Sequence, residues 1–432
     1  MRVYFHTFGC KANQYDTERM RQEAEARGAV AVSSPGEAEV CLVNTCTVTN
    51  RADADARRFV RRVVREHPGL RVVVAGCSAA LRAPEYEGMA EVARVVRGHD
   101  PVAASEALGG AAPVLLQLRA PLERQHVEPI GGALLQRRVG ATRGWLKVQD
   151  GCDRRCSFCA TRLARGASRS RAPQEVVREA EALAVAHPEL VITGIHIGQY
   201  GQDLDPPWSL ARLVALLLDR VPQVRLRLGS VEATEVDDDL LDLLATTGGK
   251  LAPHLHMPLQ SGSDAVLAGM RRWHTREQYR RRTWDIVERG GDMGLGADLI
   301  TGFPGERDEH HAETRALVEE LPFTYLHVFP FSPRDGTAAA DLPDTVPQRV
   351  AGERSRELRQ LAAEKGREYR ALRVGQRARV VLERQGATAL TGDYLKVAVP
   401  APPATPGGLL DGTLRGHEGH LYIAWPRPIP SN

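Results

Sequence analysis

GCDRRCSFC at residues 151–159 follows directly on a strand-like run, GWLKVQ at 144–149, and this junction decides the fold. Further strand-like runs follow along the chain, with helical stretches between them. They are LVITG (190–194), VRLRLGS (224–230), HLHMPL (254–259), GLGADLITG (294–302) and YLHVFPF (325–331). This alternation predicts a parallel partial barrel of six β/α units over residues 141–372, with its active edge at the C-terminal ends of the strands.

The spacing C-x3-C-x2-C places Cys152, Cys156 and Cys159, here named the loop trio, on one loop at that edge. Three thiolates can ligate three irons of a four-iron cubane, which leaves one iron open to a substrate. Zinc and unrelated free thiols are the alternatives, but structural zinc sites are usually closed by paired Cys-x2-Cys units and no second pair follows. Phe158 can pack against a cluster or against a bound adenine.

A second set of cysteines lies in the first 105 residues, where strands and helices alternate as in a doubly wound parallel α/β domain. Cys10, Cys46 and Cys77, here named the sheet-edge trio, each come directly after a predicted strand. Parallel strands end at a common edge, and helix N-termini there favour anionic groups, so a second cluster with an open iron is expected. The alternative is three buried structural cysteines. Cys41 lies inside its strand and is predicted to be a core residue.

The bulk properties agree with a folded protein of several domains. The chain has 432 residues, of which 43% are hydrophobic and 26% charged, and its formal net charge of +3 is too small to indicate nucleic-acid binding. No run approaches the roughly 18 apolar residues of a membrane span, so no membrane partner and a cytoplasmic location are expected. Seven cysteines, an odd number, argue against a disulfide framework. Residues 106–140 are predicted to be a linker, 347–372 a charged helix, and 373–432 a small all-β domain.

At these positions the sequence resembles a known family. CDRRCSFC resembles the cluster motif of radical S-adenosylmethionine (SAM) enzymes, and TGDYLKV near the C-terminus resembles the RNA-binding TRAM β-barrel. Other segments resemble motifs of the radical SAM methylthiotransferases, in the order of that family, from residue 1 to about 340. They are TFGCKANQYDTE, VNTCTVT, VAGC, TGIHIGQYG, LGSVEA, PHLHMPLQSGSDAVLAGMRR, ADLITGFPGE and HVFPFSPRDGTAA.

GCKANQYDTE, with Lys11 after the cysteine, and LARGASRSR at 163–171 are most similar to the branch that acts on threonylcarbamoyladenosine in tRNA. The alternatives within the family are isopentenyladenosine in tRNA and an aspartate of a ribosomal protein. An alternative of another class is a non-enzymatic iron–sulfur protein for electron transfer or RNA binding, which would usually close each cluster with four cysteines.

The resemblance implies two [4Fe–4S] clusters, with six cysteine ligands in the two trios. SAM would bind at the loop-trio cluster and, after one-electron reduction, give a 5′-deoxyadenosyl radical. The sheet-edge cluster would hold the sulfur, which a second SAM methylates, and the methylthio group would be added to C2 of the adenosine beside the anticodon. The expected partners are the anticodon loop of tRNA, a reducing electron donor and a sulfur source.

Other contacts are expected along the catalytic edge. Thr193 and Gly194, after the second strand, are expected to contact the methionine part of SAM. Ser230, Glu232, Gln260 and Ser261 are further candidates, whereas His254 and His256 are predicted to be packing residues. The arginines beside the loop trio are candidates for guiding the substrate, a solvated basic loop being the equal alternative: Arg165, Arg169 and Arg171.

Overall fold

The N-terminal unit is a five-stranded parallel sheet in the order β2-β1-β3-β4-β5. The structure is a computed structural model that describes residues 1–109, 134–383, 386–400, 408–417 and 419–425. The elements of this unit are β1 (Arg2–Thr7), α1 (Lys11–Ala26), β2 (Val30–Val32), β3 (Val40–Thr45), α2 (Asn50–Glu66), β4 (Arg71–Gly76), α3 (Cys77–Leu81), α4 (Ala83–Glu87), β5 (Val92–Val95) and α5 (Pro101–Leu108).

Helices cover both faces of this sheet, as the doubly wound prediction requires. Met20 of α1 and Leu108 of α5 pack on one face, and Phe59 of α2 packs on the other. The central strand β3 is buried at every residue, which is why VCLVNT reads as a continuous run without polar alternation. Cys41 lies in the core of this strand, fully buried, as predicted.

The central unit begins with β6 after the short coil 134–142. Its elements are β6 (Arg143–Lys147), β7 (Gln149–Asp150), α6 (Thr161–Arg165), β8 (Arg169–Ser170), α7 (Pro173–Ala184), β9 (Glu189–Thr193), α8 (Leu210–Arg220), β10 (Arg225–Leu228), α9 (Asp238–Thr246), β11 (His254–His256), α10 (Asp264–Gly269), α11 (Arg276–Gly290), β12 (Gly294–Thr301), α12 (Asp308–Glu320), β13 (Tyr325–Pro330) and α13 (Gln348–Arg373).

Six parallel strands of this unit form an open barrel. β10-β9-β6 and β11-β12-β13 are hydrogen-bonded sheets, and isolated bridges from Leu226 to Leu251 and from Ser230 to His256 join them. The predicted partial barrel of six β/α units is confirmed. β11 ends at His256 rather than at residue 259, because Pro258 has no N–H to continue the ladder.

The C-terminal unit is a small closed β-barrel, which confirms the all-β prediction. Its strands, in the order β14-β15-β16-β18-β17, are β14 (Arg377–Leu382), β15 (Thr388–Thr391), β16 (Lys396–Ala398), β17 (Leu409–His417) and β18 (His420–Ala424).

This small barrel closes the N-terminal end of the central barrel. Arg227 donates to the carbonyl oxygens of Gly392 and Thr391 at 2.8 Å each, and Arg225 donates to that of Arg379 at 2.7 Å. The ring of Tyr394 stacks on His254, a residue of β11, with the centroids 4.4 Å apart. The N-terminal ends of central strands β10 and β11 are therefore covered by another unit.

Most of the predicted linker, residues 110–133, lies outside the described residues, and α5 extends into its start. Within the described ranges, no helix combines the length and the apolar character that crossing a membrane requires.

Candidate functional site

The loop trio lies between β7 and α6, at the C-terminal end of the first barrel strand. Backbone hydrogen bonds hold this loop: Cys152 N–H donates to the Gly166 carbonyl at 3.1 Å, and Cys159 N–H donates to the Cys156 carbonyl at 3.2 Å. Ser157 N–H donates to the Met270 carbonyl at 3.0 Å, which fixes the loop against the α10 region.

Each sulfur of the loop trio has a polar partner. Cys152 Sγ lies 3.5 Å from His196 Nδ1, Arg272 Nη1 donates to Cys156 Sγ at 3.7 Å, and Thr161 N–H donates to Cys159 Sγ at 3.4 Å. Burial raises the pKa of the Cys156 thiol to about 11 and also raises that of Cys159. Burial alone keeps these thiols protonated, whereas a bound metal cation would stabilise the negatively charged thiolates. Hydrogen-bond donors directed at the sulfurs are typical of such metal-bound thiolates.

A second layer of charged residues, which the sequence patterns did not predict, surrounds this loop. Burial opposes protonation of His196, but its hydrogen bonds to Cys152 and to Glu235, the latter at 2.7 Å, raise its pKa to about 9. Arg154 pairs with Glu235 at 2.8 Å, and the guanidinium groups of Arg154 and Arg272 both lie over the Trp273 ring, 4.0 and 4.2 Å from its centroid. His196 lies inside the quoted motif TGIHIGQYG, and Arg272 lies inside LAGMRR. These motifs were the sequence signal that could have indicated the two residues.

The residues expected to contact SAM are distributed around this edge. Thr193 ends β9 and is buried, Ser230 follows β10 and is exposed, and Gln260 has a left-handed backbone with φ of +71°. Gly194 has no room for a side chain, since a Cβ would lie 2.8 Å from the Gln149 carbonyl oxygen. Phe158 packs against the apolar cluster that contains Met270 and Phe303.

Glu232 is buried and ion-paired with Arg272, the residue that also donates to Cys156. Burial raises the pKa of Glu232, against the opposing effect of Arg272. Ser261 is buried and bonds to the hydroxyl of Thr314 at 3.2 Å, so its polar group is already satisfied by the fold.

The sheet-edge trio meets in space as the strand-end rule predicts. Gly9, beside Cys10, has φ of +102°, and a Cβ on it would lie 2.7 Å from Cys46 Sγ. Asn13 of α1 connects the strand ends, because its Nδ2 donates to the carbonyls of Phe8 and Thr45 and its Oδ1 accepts from Cys77 Sγ at 3.6 Å.

Burial raises the pKa of Cys77 to about 12 and that of Cys46 to about 11. His99 Nε2 lies 3.3 Å from Cys77 Sγ. Neither Asn13 nor His99 was anticipated.

One short helix, α6, connects the two trios. Its first residue, Thr161, contacts Cys159 Sγ, and its last, Arg165, donates to Asn13 Oδ1 at 2.6 Å. Five helical residues span about 7.5 Å. The two groups of thiols therefore share one region between the N-terminal sheet and the central barrel.

The prediction that Arg165 and Arg171 guide the substrate is wrong, and so is the solvated alternative. Both side chains are buried. Arg165 pairs with Asp16 and Asp150 at 2.8 and 2.9 Å, and Arg171 pairs with Glu179 at 2.9 Å. These arginines fix α1 and its thiol loop to the central unit. Arg169 is partly buried in the short strand β8.

A group of hydrogen-bonded polar side chains lies on strands β11, β12 and β13 of the central barrel. His254 Nε2 and His256 Nδ1 both bond the hydroxyl of Tyr325, at 2.8 and 3.1 Å. Asp298 accepts from His256 Nε2 at 3.1 Å and from His327 Nδ1 at 3.2 Å. His254 is a packing residue as predicted, whereas His256 belongs to a group of three residues with the ligand types of a metal site.

Comparison with known proteins agrees with this layout. The model of the uncharacterized protein family UPF0004 matches residues 2–98, and that of the radical SAM superfamily matches residues 146–318. A protein of Bacillus subtilis (strain 168), named threonylcarbamoyladenosine tRNA methylthiotransferase MtaB, is 37% identical over 379 residues, which are 85% of this chain and 81% of the relative. The chain belongs to the radical SAM tRNA methylthiotransferase family.

Other members of this methylthiotransferase family match over a similar extent. A protein of Aquifex aeolicus (strain VF5) with the same name as the Bacillus subtilis relative is 32% identical over 92% of this chain and 96% of its own length. A tRNA-2-methylthio-N(6)-dimethylallyladenosine synthase of Bacillus velezensis is 32% identical over 85% of this chain and 74% of its own length.

Among solved structures, the radical SAM methyltransferase TsrM of Kitasatospora setae shares the fold, with a TM-score of 0.52 and 16% identity over 76% of this chain and 72% of that one. The methylthiotransferase is therefore an enzyme that uses SAM and iron–sulfur [4Fe–4S] chemistry, which excludes the non-enzymatic alternative.

Proposed function

We propose that this methylthiotransferase adds a methylthio group to C2 of N6-threonylcarbamoyladenosine beside the anticodon of tRNA, using two [4Fe–4S] clusters. Relatives that carry the name of this activity are 32–37% identical to the chain, across most of its length. The relative named for dimethylallyladenosine is also 32% identical, so the substrate is decided by experiment rather than by similarity.

The six cysteines of the two trios are the proposed cluster ligands. The chain has seven cysteines, and the seventh, Cys41, is fully buried within its strand, so each trio leaves one iron of a cubane without a cysteine. N–H and guanidinium donors aimed at Cys46, Cys156 and Cys159 fit sulfurs that carry negative charge. The residues present therefore suit two iron–sulfur clusters.

When bound, the clusters and SAM supply the radical chemistry that an unactivated aromatic C–H bond requires. The protein supplies position and electrostatics. Arg272 and His196 place positive charge beside the loop trio, and Glu232 and Glu235 fix those two cations through ion pairs. The proposed surroundings of SAM remain Phe158, Thr193, Gly194, Ser230, Glu232 and Gln260. Phe158 also packs against the apolar cluster of Met270 and Phe303.

The link through α6 is the observation that carries this proposal. A reaction that joins a carbon radical to a sulfur needs both reactive centres at one substrate atom. The contacts of Thr161 with Cys159 and of Arg165 with Asn13 tie the two trios to opposite ends of one five-residue helix.

Mass spectrometry of tRNA nucleosides from a deletion strain tests the proposal. We expect 2-methylthio-N6-threonylcarbamoyladenosine to disappear, to return with the wild-type protein, and to stay absent with Cys152→Ala or Cys77→Ala. Cys41→Ala is the matched control and restores the nucleoside. Loss of the methylthio group from the dimethylallyl nucleoside or from a ribosomal-protein aspartate instead, with an unchanged threonylcarbamoyl signal, would contradict the proposed substrate.

A further inference from the structure

Helix α2 carries a row of arginines on the side that faces away from the core. Its buried residues Ala56, Phe59, Val60 and Val63 repeat at the helical spacing and pack towards the sheet. The same spacing recurs two positions further along, which places a second set on the opposite side of the helix. This set, here named the basic stripe, is exposed and consists of Arg58, Arg61, Arg62 and Arg65. The stripe extends over about 10 Å of the helix axis.

The charge of the basic stripe is mostly unbalanced. Arg58 pairs with Asp55. Among the described residues, no carboxylate forms an ion pair with the other three arginines of the stripe. On α11, by contrast, Arg280 pairs with Glu277 at 2.7 Å. Like charges three and four residues apart destabilise a helix, so the stripe does not serve the fold of α2, and it would attract an anionic partner.

A row of half-buried rings lies beside the stripe. Tyr4, His6 and Phe8, here named the aromatic row, alternate along β1 and so lie on one face of the sheet. His6 stacks on Phe59 of α2, with the centroids 3.9 Å apart, and lies 4.7 Å from the Phe8 ring. The guanidinium carbon of Arg62 lies 5.6 Å from the Phe59 centroid. Arginines beside aromatic rings are typical of surfaces that bind unpaired nucleic acid, because phosphates contact the arginines and bases stack on the rings.

Both features lead to the proposed reaction site. The aromatic row ends at Phe8, two residues before Cys10 of the sheet-edge trio. Helix α2 begins beside the loop after β13, because Asn50 N–H donates to Ser332 Oγ at 3.1 Å and Asn50 Nδ2 donates to the Pro333 carbonyl at 2.8 Å. The stripe starts eight residues further on, about 12 Å along the axis. Nucleotides that flank a base at the sheet-edge trio can therefore reach the stripe.

We propose that the basic stripe binds phosphates of the tRNA anticodon stem-loop, with the aromatic row beneath unpaired loop nucleotides, and so positions the RNA over the sheet-edge trio. The inference rests on the proposed function and deepens it, because it assigns a surface that holds the substrate. It replaces Arg165 and Arg171, which are buried. Phosphate contacts fix the position of an RNA and do not read its bases, so the stripe acts independently of the substituent on the adenosine.

Binding of an anticodon stem-loop with N6-threonylcarbamoyladenosine to the reconstituted full-length protein, measured at several salt concentrations, tests this assignment. Each phosphate contact adds to the salt dependence through counterion release. We expect the double variant Arg61→Gln with Arg65→Gln to bind about tenfold more weakly at low salt, and the slope of log affinity against log salt to fall by about 1 to 2. Lysine at both positions should restore most of the affinity and of the slope.

The matched control is Arg178→Gln with Arg281→Gln. These arginines of α7 and α11 are also exposed and, in the part of the chain that the structure describes, form no ion pair. The control should keep the affinity and the slope of the wild type. Iron content and SAM cleavage without RNA should be those of the wild type in both double variants, since the stripe contacts neither trio.

An intact stripe variant with unchanged affinity and slope overturns the inference, and so does an equal loss in the control. If the double variant loses iron, the single variants Arg61→Gln and Arg65→Gln decide, each with about half the change in slope. Product analysis separates this inference from the proposed function. A wild-type enzyme that binds this RNA through the stripe and forms no methylthio product refutes the substrate alone, whereas product formation without any effect of the stripe refutes the stripe alone.

Discussion

At the scale of single residues, Gly9 leaves no room for a side chain. Its φ of +102° and its distance of 2.6 Å from a built Cβ to Cys46 Cβ mean that alanine would displace Cys46 and strain the backbone. We expect Gly9→Ala to hold about four irons instead of about eight, and to cleave SAM without forming the methylthio product.

Gly28→Ala is the matched control for this prediction. Gly28 also has positive φ, +87°, but a Cβ there would meet no atom within 4 Å. The control should lose some stability and keep its iron. Equal iron contents in the two variants would refute the steric argument. Iron analysis and visible absorption give the answer.

The buried carboxylate of Glu189 predicts that the stability of the folded state depends on pH. Burial opposes its ionisation, but Arg227 and Arg225 outweigh burial and lower its pKa to about 2 from the ordinary 4.5. The folded state therefore binds fewer protons than the unfolded state, and the stability due to Glu189 is complete above pH 4.5 and is lost as pH falls towards 2. Glu189→Gln should lower the free energy of unfolding by about 3 kcal/mol at pH 7.

The difference between the wild type and Glu189→Gln should shrink as the pH falls from about 4.5 towards 2. Urea denaturation followed by circular dichroism at several pH values measures it. A difference that stays constant across this range would show that the charge of Glu189 is not what stabilises the protein.

At the scale of elements, α1 is docked on α7 by one buried carboxylate. Glu179 accepts from Tyr15 Oη at 3.0 Å, from Arg171 at 2.9 Å and from the Leu135 N–H at 3.0 Å. We expect Glu179→Gln to destabilise the protein by about 3 kcal/mol, because it leaves Arg171 buried without its counter-charge.

Glu181, on the same helix α7, provides the comparison. It pairs with Arg220 at the surface, where both side chains are well exposed, at 50% for Arg220 and 39% for Glu181. Glu181→Gln should cost about 0.5 kcal/mol or less. Similar losses for the two glutamates, measured by thermal unfolding, would mean that the α1–α7 contact does not depend on the buried ion pair.

Sequence patterns predicted elements and strand-end positions, and they failed where side chains from distant segments pair. The strand-end rule predicted that Cys10, Cys46 and Cys77 lie close together, because each directly follows a parallel strand or its turn. The rule could not predict the contacts of Asn13, Arg165 and Arg171, because their partners depend on how α1 packs against the central unit. The short strands β2 and β5, at the edges of the sheet, carry too few residues to give a periodic signal.

At the scale of the whole molecule, the C-terminal barrel is part of the central unit's structure. Its backbone carbonyls accept from Arg225 and Arg227, and Tyr394 covers His254. Removing residues 375–432 would leave these arginines without those acceptors. We expect the truncated protein to unfold at a lower temperature and to be cleaved faster by protease.

A barrel that served only to hold RNA would give a different result. The truncated protein would then keep the melting temperature and iron content of the full chain, and only its affinity for tRNA would fall. Tyr394→Ala, compared with Tyr422→Ala on β18, separates the two cases without removing a domain: we expect only the first to loosen the central unit.

The stacked ring of Tyr394 bears on how substrate enters the enzyme and how product leaves it. Because this ring covers His254 at the N-terminal end of the central barrel, we expect a nucleotide to enter and leave at the opposite end. If product RNA leaves by that same end, we expect excess product RNA to slow repeated cycles more than the first one.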